Sequence, residues 1–156
     1  MTVPVSTLAP GFFTLGPAVP GATAVRVSAD GTQTPVSVTT ALLTSIKFAP
    51  IDVSAGTVYL TLYGTGFAQA STSATTCSVG NVSVPVTYTG PQIEFPGLGQ
   101  VNILLPGSLA GGGLQPVSCL FQRLAVPALL RNGVRALRLR AKEWNRASAQ
   151  SHSVTF

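Results

Sequence analysis

Charge is the scarcest commodity in this chain. Only 8% of its 156 residues are Asp, Glu, Lys or Arg, against about a quarter in an average domain. Acids are fewest, with Asp30, Asp52, Glu94 and Glu143 alone and widely spaced. A glycosidase needs two carboxyl groups converging on one sugar, and nothing in this spacing proposes such a pair. His152 is the single histidine, and no serine or cysteine elbow accompanies it, so a nucleophile and base arrangement is not recommended. Two cysteines, Cys77 and Cys119, with that one histidine do not make a zinc-ligand pattern. No apolar run approaches the 18 or so residues that cross a bilayer as a helix. The start, Met1-Thr-Val-Pro-Val-Ser6, has neither a basic region nor a continuous apolar stretch, and does not read as a signal peptide. Either the chain is cytosolic or it is a piece of a longer secreted protein. No catalytic, cofactor-binding or metal-binding residue is nominated, and the expectation is that the protein is not an enzyme and carries no cofactor.

What is plentiful points to strands and turns. There are 16 glycines and 12 prolines, and Thr, Ser and Val fill much of the remainder. The most informative stretch is Val58-Tyr-Leu-Thr-Leu-Tyr-Gly-Thr-Gly-Phe67. Val58, Leu60 and Leu62 alternate with Tyr59, Thr61 and Tyr63, then run into a glycine corner, as in a sandwich strand that ends in a sharp turn. Ala22 to Ser28 also alternates, and Asp30-Gly31 suits a two-residue hairpin loop into Gln33 to Val38. Pro10-Gly11, Gly80-Asn81 and Thr89-Gly-Pro91 read as turns, and Val82 to Tyr88, Gln100 to Leu105 and Gln115 to Gln122 as strands. Phe12, Phe13, Phe67 and Phe95 are expected in the core. Gly64-Thr-Gly66 follows a strand but lacks the third glycine and the helix that a dinucleotide site requires.

Six blocks in order carry a family resemblance: Leu8-Ala-Pro-Gly-Phe-Phe-Thr14, Val27-Ser-Ala-Asp-Gly-Thr-Gln33, Pro50-Ile-Asp52, Leu60-Thr-Leu-Tyr-Gly-Thr-Gly66, Val84-Pro-Val-Thr-Tyr-Thr-Gly90 and Phe95-Pro-Gly-Leu-Gly-Gln-Val-Asn-Ile-Leu-Leu-Pro106. Together, over residues 8 to about 121, they resemble the Solibacter-type C-terminal domain of acidobacterial exported proteins. The Gly-Thr-Gly-Phe corner is also similar to that of IPT/TIG immunoglobulin-like domains. The resemblance implies an all-β, immunoglobulin-like β-sandwich near the end of a secreted or surface protein. It implies no catalytic residues. In such a module Cys77 and Cys119 are a candidate disulfide, the alternative being two separately buried thiols.

Composition changes abruptly after Phe121. Residues 1 to 120 hold two cations against three acids, a net −1, whereas residues 121 to 156 hold seven cations against one acid, a net +6. The organisation expected is an N-terminal β segment (1–52) packed on the sandwich, an immunoglobulin-like core (53–122), a basic Arg/Leu/Ala-rich insert (123–150), helical or irregular, and a final strand (151–156). Val134, Leu137, Ala141 and Trp144 fall at helical spacing, so a short basic helix is expected near the C-terminus. It would cover an edge of the sandwich, or be an out-of-frame stretch, or present Arg131, Arg135, Arg138, Lys142 and Arg146 as a basic contact surface for an anionic membrane or nucleic acid.

Three functions are in view. The first is a non-catalytic structural or adhesive module of an exported or cell-surface bacterial protein, whose partners include other domains of a longer parent chain. The second is an extracellular glycan- or protein-binding module, which a shallow patch of exposed Tyr and Phe on one face would favour. The third is membrane or nucleic-acid contact through the basic tail, which is the least favoured.

Overall fold

The structure, a computed structural model, describes residues 8–15, 19–42, 45–122 and 124–132, giving the backbone alone at 41, 42, 45 and 124–132. Twelve strands run through these residues: β1 (Gly11–Phe12), β2 (Ala22–Val27), β3 (Gln33–Val36), β4 (Thr39–Leu42), β5 (Ser45–Phe48), β6 (Thr57–Thr65), β7 (Thr75–Val79), β8 (Val82–Val84), β9 (Val86–Pro91), β10 (Gly99–Leu105), β11 (Gly113–Phe121) and β12 (Leu124–Asn132). The only helical turns among them are two short 3-10 pieces, Thr72–Ala74 and Gly107–Leu109. The chain is all-β. Two antiparallel sheets share one core: a first with order β3-β2-β6-β10-β9, where β1 adds to the end of β6, and a second with order β12-β11-β7-β8. β4 and β5 form a separate hairpin.

The alternation read in the sequence sets the layers. Along β6, Val58, Leu60 and Leu62 have no exposed surface, and their neighbours across the ladder, Ile103 and Val101 on β10, are equally buried. From the second sheet come Val79, Val117, Cys119 and Phe121, all at zero exposure. β2 lies in the same sheet as β6, pairing from Ala22↔Leu62 to Val27↔Thr57, and Ile51 and Val53 join the core. Of the residues before Asp52, β1, β2 and β3 are strands of the main sheet, while β4 and β5 stand apart from it.

Local chemistry explains the departures from expectation. Pro10-Gly11 is no turn, because Gly11 already pairs with Thr65. Inside the Ser28/Thr32 pair that closes it, the β2–β3 loop has three residues, not two: Gly31 N–H donates to Ser28 O and Ser28 N–H to Thr32 O, and Gly31 takes the left-handed φ of 84° that such loops reserve for glycine. Pro85 divides the expected Val82 to Tyr88 strand. It supplies no N–H, and the chain there leaves the second sheet as β8 and enters the first as β9, which absorbs Thr89 to Pro91.

The insert opens as a strand. Leu124–Asn132 pairs with β11 over nine residues, from Gly113↔Asn132 to Phe121↔Leu124. Pro127 is the physical reason a helix fails there, since it removes a helical hydrogen bond and clashes with the preceding turn, whereas β11 offers a full backbone ladder. The remainder of the insert, its Val134, Leu137, Ala141 and Trp144 stripe and the final strand 151–156 lie outside the described residues.

Candidate functional site

The outward side of the first sheet is the best-defined surface for a ligand, and β6 sets it. With Val58, Leu60 and Leu62 turned inward, the strand must present Tyr59, Thr61 and Tyr63 on the other side. Registers on both flanks extend the same face. Gln100 on β10 lies opposite Tyr63 and, on its other side, opposite Gly90 of β9. Asn102 lies between Thr61 and Tyr88, and Thr61 in turn faces Thr23 of β2. Val25, Tyr59 and Leu104 form the next row. Phe13 continues the β1 register beside Tyr63, through its N–H to Tyr63 O at 2.9 Å, and is 46% exposed.

All three tyrosines of the chain thus share one face, and no strand position pointing outward from it carries a charge. Two phenols are fixed: Tyr63 Oη and Thr23 Oγ1 are 3.1 Å apart, and Tyr88 Oη donates to Pro91 O at 2.7 Å. Tyr88 lies over Gly90, where a Cβ would sit 2.6 Å from the phenol oxygen, so glycine makes room for the ring. Asn102 Oδ1 is buried without a hydrogen-bond partner. A sheet face of phenols, amides and hydroxyls can stack and hydrogen-bond.

The glycine corner holds this surface in place. Gly64 and Gly99 are directly opposed, and the Phe67 ring lies over both. A Cβ on Gly99 would stand 2.9 Å from Phe67 Cε2, and one on Gly64 would overlap the Gly11 carbonyl oxygen. Phe67 stacks on Phe121 with centroids 4.5 Å apart, and Phe12 meets both rings edge-on. Phe12 and Phe67 therefore belong to the core as expected. Phe13 and Phe95 do not: Phe13 is on the outer face and Phe95, 60% exposed, is on the β9–β10 loop. That loop is braced by Gln92 Oε1 accepting from Phe95 N–H at 2.8 Å, and also shows Ile93, 95% exposed.

Cys77 and Cys119 are bonded. They sit directly opposite on β7 and β11, with Cα atoms 4.1 Å apart, the close approach of a non-hydrogen-bonded pair. Both face the core, at 3% and 0% exposure.

The described acids are occupied in turns. Thr32 donates its backbone N–H to Asp30 Oδ1, and this bond, with the Thr32 side chain, holds the Asp30 carboxyl below its ordinary 3.8. The Ser54 hydroxyl, then its N–H, does the same for Asp52, with a smaller pull from Arg26. Arg26 also donates to Asp52 O at 2.8 Å, pinning the chain before β6. Glu94 is on the β9–β10 loop, at the opposite end of β6, roughly 24 Å away along the strand. Among the described residues, no three His, Cys, Asp or Glu side chains group to hold a metal, and no helix is long and apolar enough to cross a membrane. Arg131 lies in β12, its side chain not described; Arg135, Arg138, Lys142, Arg146 and His152 lie outside the described residues.

The Tyr59 and Tyr63 half of the face was visible in the alternation of β6. Gln100 joined it through the non-local β6–β10 register, and Tyr88 through the sheet switch at Pro85, which no periodicity signals. No family model, no curated protein and no solved structure matches the chain.

Proposed function

We propose that the chain is a non-catalytic, immunoglobulin-like β-sandwich module of an exported or cell-surface bacterial protein, and that it serves adhesion through the outer face of its larger sheet. The observation that carries this reading is the gathering of Tyr59, Tyr63 and Tyr88, with Gln100 and Asn102, on one uncharged sheet face. Tyrosine supplies large contact area at little entropic cost and a polar tip for orientation. Two further features support it. A buried disulfide suits an oxidising compartment outside the cytosol. Asp30 and Asp52 have lowered carboxyl pKa values, whereas a general acid requires a raised one. The resemblance to the Solibacter-type C-terminal domain agrees in fold class and in location.

The test is adhesion of beads coated with the oxidised full chain to whole bacterial cells. Attachment is expected, and expected to fall sharply in a Tyr59→Ser, Tyr63→Ser, Tyr88→Ser triple variant that keeps the wild-type melting temperature. Attachment that ignores the triple variant, or no attachment, would sink the reading.

A further inference from the structure

The composition of the adhesive face selects a ligand class. An anionic ligand finds no cation among its outward strand positions, and a cationic one finds no acid. An apolar peptide or lipid would bury Gln100, Asn102, Thr23 and Thr61 without giving them partners, at a cost for each polar group left unpaired. What suits phenol rings interleaved with amides and hydroxyls is a neutral polyhydroxylated molecule, whose C–H surfaces lie on the rings and whose hydroxyls both donate and accept.

The geometry narrows this further. Gln100 stands between Tyr63 on one side and Gly90, overlain by the Tyr88 ring, on the other. An amide between two rings is an arrangement that fixes a hydroxyl while the rings on either side hold the flanking parts of the ligand. β6 and β9 are separated by β10, so the two tyrosines stand about 10 Å apart across the strands, more than a single pyranose spans. Asn102, in the adjoining row, holds a buried Oδ1 with no partner, an acceptor that rotation of the amide offers to a ligand hydroxyl.

We propose that this face binds a neutral glycan chain, with Tyr63 and Tyr88 as stacking platforms and Gln100 and Asn102 as the hydroxyl-reading amides. The inference depends on the adhesive reading above for its site and adds the ligand to it. A single sugar covers one platform only, so oligosaccharides bind and monosaccharides compete poorly.

The experiment is native affinity electrophoresis of the oxidised full chain in gels containing a neutral glucan, mannan, galactan or xylan, with polygalacturonate as the acidic control, alongside the bead assay. At least one neutral polymer is expected to retard the protein. That retardation should resist added salt, be relieved by the matching oligosaccharide, and weaken roughly tenfold in Tyr63→Ala and in Tyr88→Ala. Thr23→Arg, at an exposed position of the same face, removes the hydroxyl that meets Tyr63 Oη, sets a bulky cation beside that ring, and should also weaken retention. Retardation by no neutral polymer, or retention unchanged in all three variants, overturns the glycan assignment. So does retention by polygalacturonate alone that salt abolishes, which would be the work of the basic tail. Loss of neutral-glycan binding with bead adhesion still dependent on the tyrosines would remove the ligand class and leave the adhesive reading standing. No adhesion at all would remove both.

Discussion

Reducing or deleting the Cys77–Cys119 bridge should be the costliest change that leaves every backbone hydrogen bond in place. The bond closes a loop across a sequence separation of 42. In the chain-entropy model that restricts the unfolded ensemble by about 4 kcal/mol at 25 °C. The native state gives little of this back, because the two residues are already held opposite each other by the ladder between β7 and β11. With an unfolding entropy near 2.1 cal/mol/K per residue, a chain of this length should lose roughly 12–15 °C in melting temperature. A Cys77→Ala, Cys119→Ala double variant should fall slightly further than the reduced wild type, since it also removes two buried sulfur atoms beside Val79 and Val117. Circular dichroism melts of the oxidised protein, the reduced protein and the double variant measure this directly. Urea titrations should show a larger slope without the bridge, because the unconstrained chain exposes more surface. A fall in melting temperature of less than about 3 °C, with free thiols confirmed by titration, would refute the reasoning and remove the bridge as support for an extracytoplasmic site.

Other outcomes follow from the same geometry. Gly99→Ala should destabilise by about 1–3 kcal/mol through overpacking against Phe67, and Gly66→Ala by more, because Gly66 has φ 76° and its Cβ would overlap the Ala9 carbonyl; denaturant melts that rank them in the reverse order would contradict the corner described above. Stability should fall in acid: the Asp30 and Asp52 pKa values are depressed on folding, so their contribution is complete above the ordinary 3.8 and is lost as pH drops through the lower folded values. Melting temperature should therefore be level from neutrality to about pH 5 and decline below it, with a shallower decline in Asp52→Asn. Ile93→Ser with Phe95→Ser should move stability by no more than about 0.5 kcal/mol per site, since both side chains are largely in solvent; a loss of several times that would mean the β9–β10 loop packs against something else.

How much of this was legible beforehand depends on the range of the interaction. β6 was readable because strict alternation over Val58 to Tyr63 encodes both of its faces locally. The core roles of Phe12 and Phe67 followed from their turn-flanked β context. Phe95 looked alike in composition, but its exposure is decided by where β9 ends and β10 begins, and that is set by their pairing with each other and by the pairing of β10 with β6, far back in the sequence. The need for Gly99 is likewise non-local: it exists because Gly64 is opposite and Phe67 covers both. Leu124–Asn132 misled for a different reason. Its helix propensity is worth tenths of a kcal/mol per residue, and a nine-residue ladder with β11 together with one proline outweighs it. The bridge sat between, since cysteine count and an exported context suggested a pairing that only the β7–β11 register could secure.

The edges of the sheets explain why contact should be made through a face. In the first sheet the outer strands are β3, which contains Pro35, and β9, which ends in Pro91. In the second they are β12, which contains Pro127, and β8, which is three residues long and is followed by Pro85. Proline withholds the N–H that an incoming strand would need, and short strands offer too few partners, so these four outer strands of the two main sheets are poorly suited to strand addition. A domain repeated within a surface protein, or crowded beside copies of itself, would otherwise pair edge to edge. With the edges blunted, the outward side of the first sheet is the surface the proposed recognition would use, and its lack of charge would disfavour the polyanions that the basic tail would attract. The same sequence economy that leaves the fold with almost no charged residues is therefore what allows Tyr63, Gln100 and Tyr88 to stand together without a competing ion.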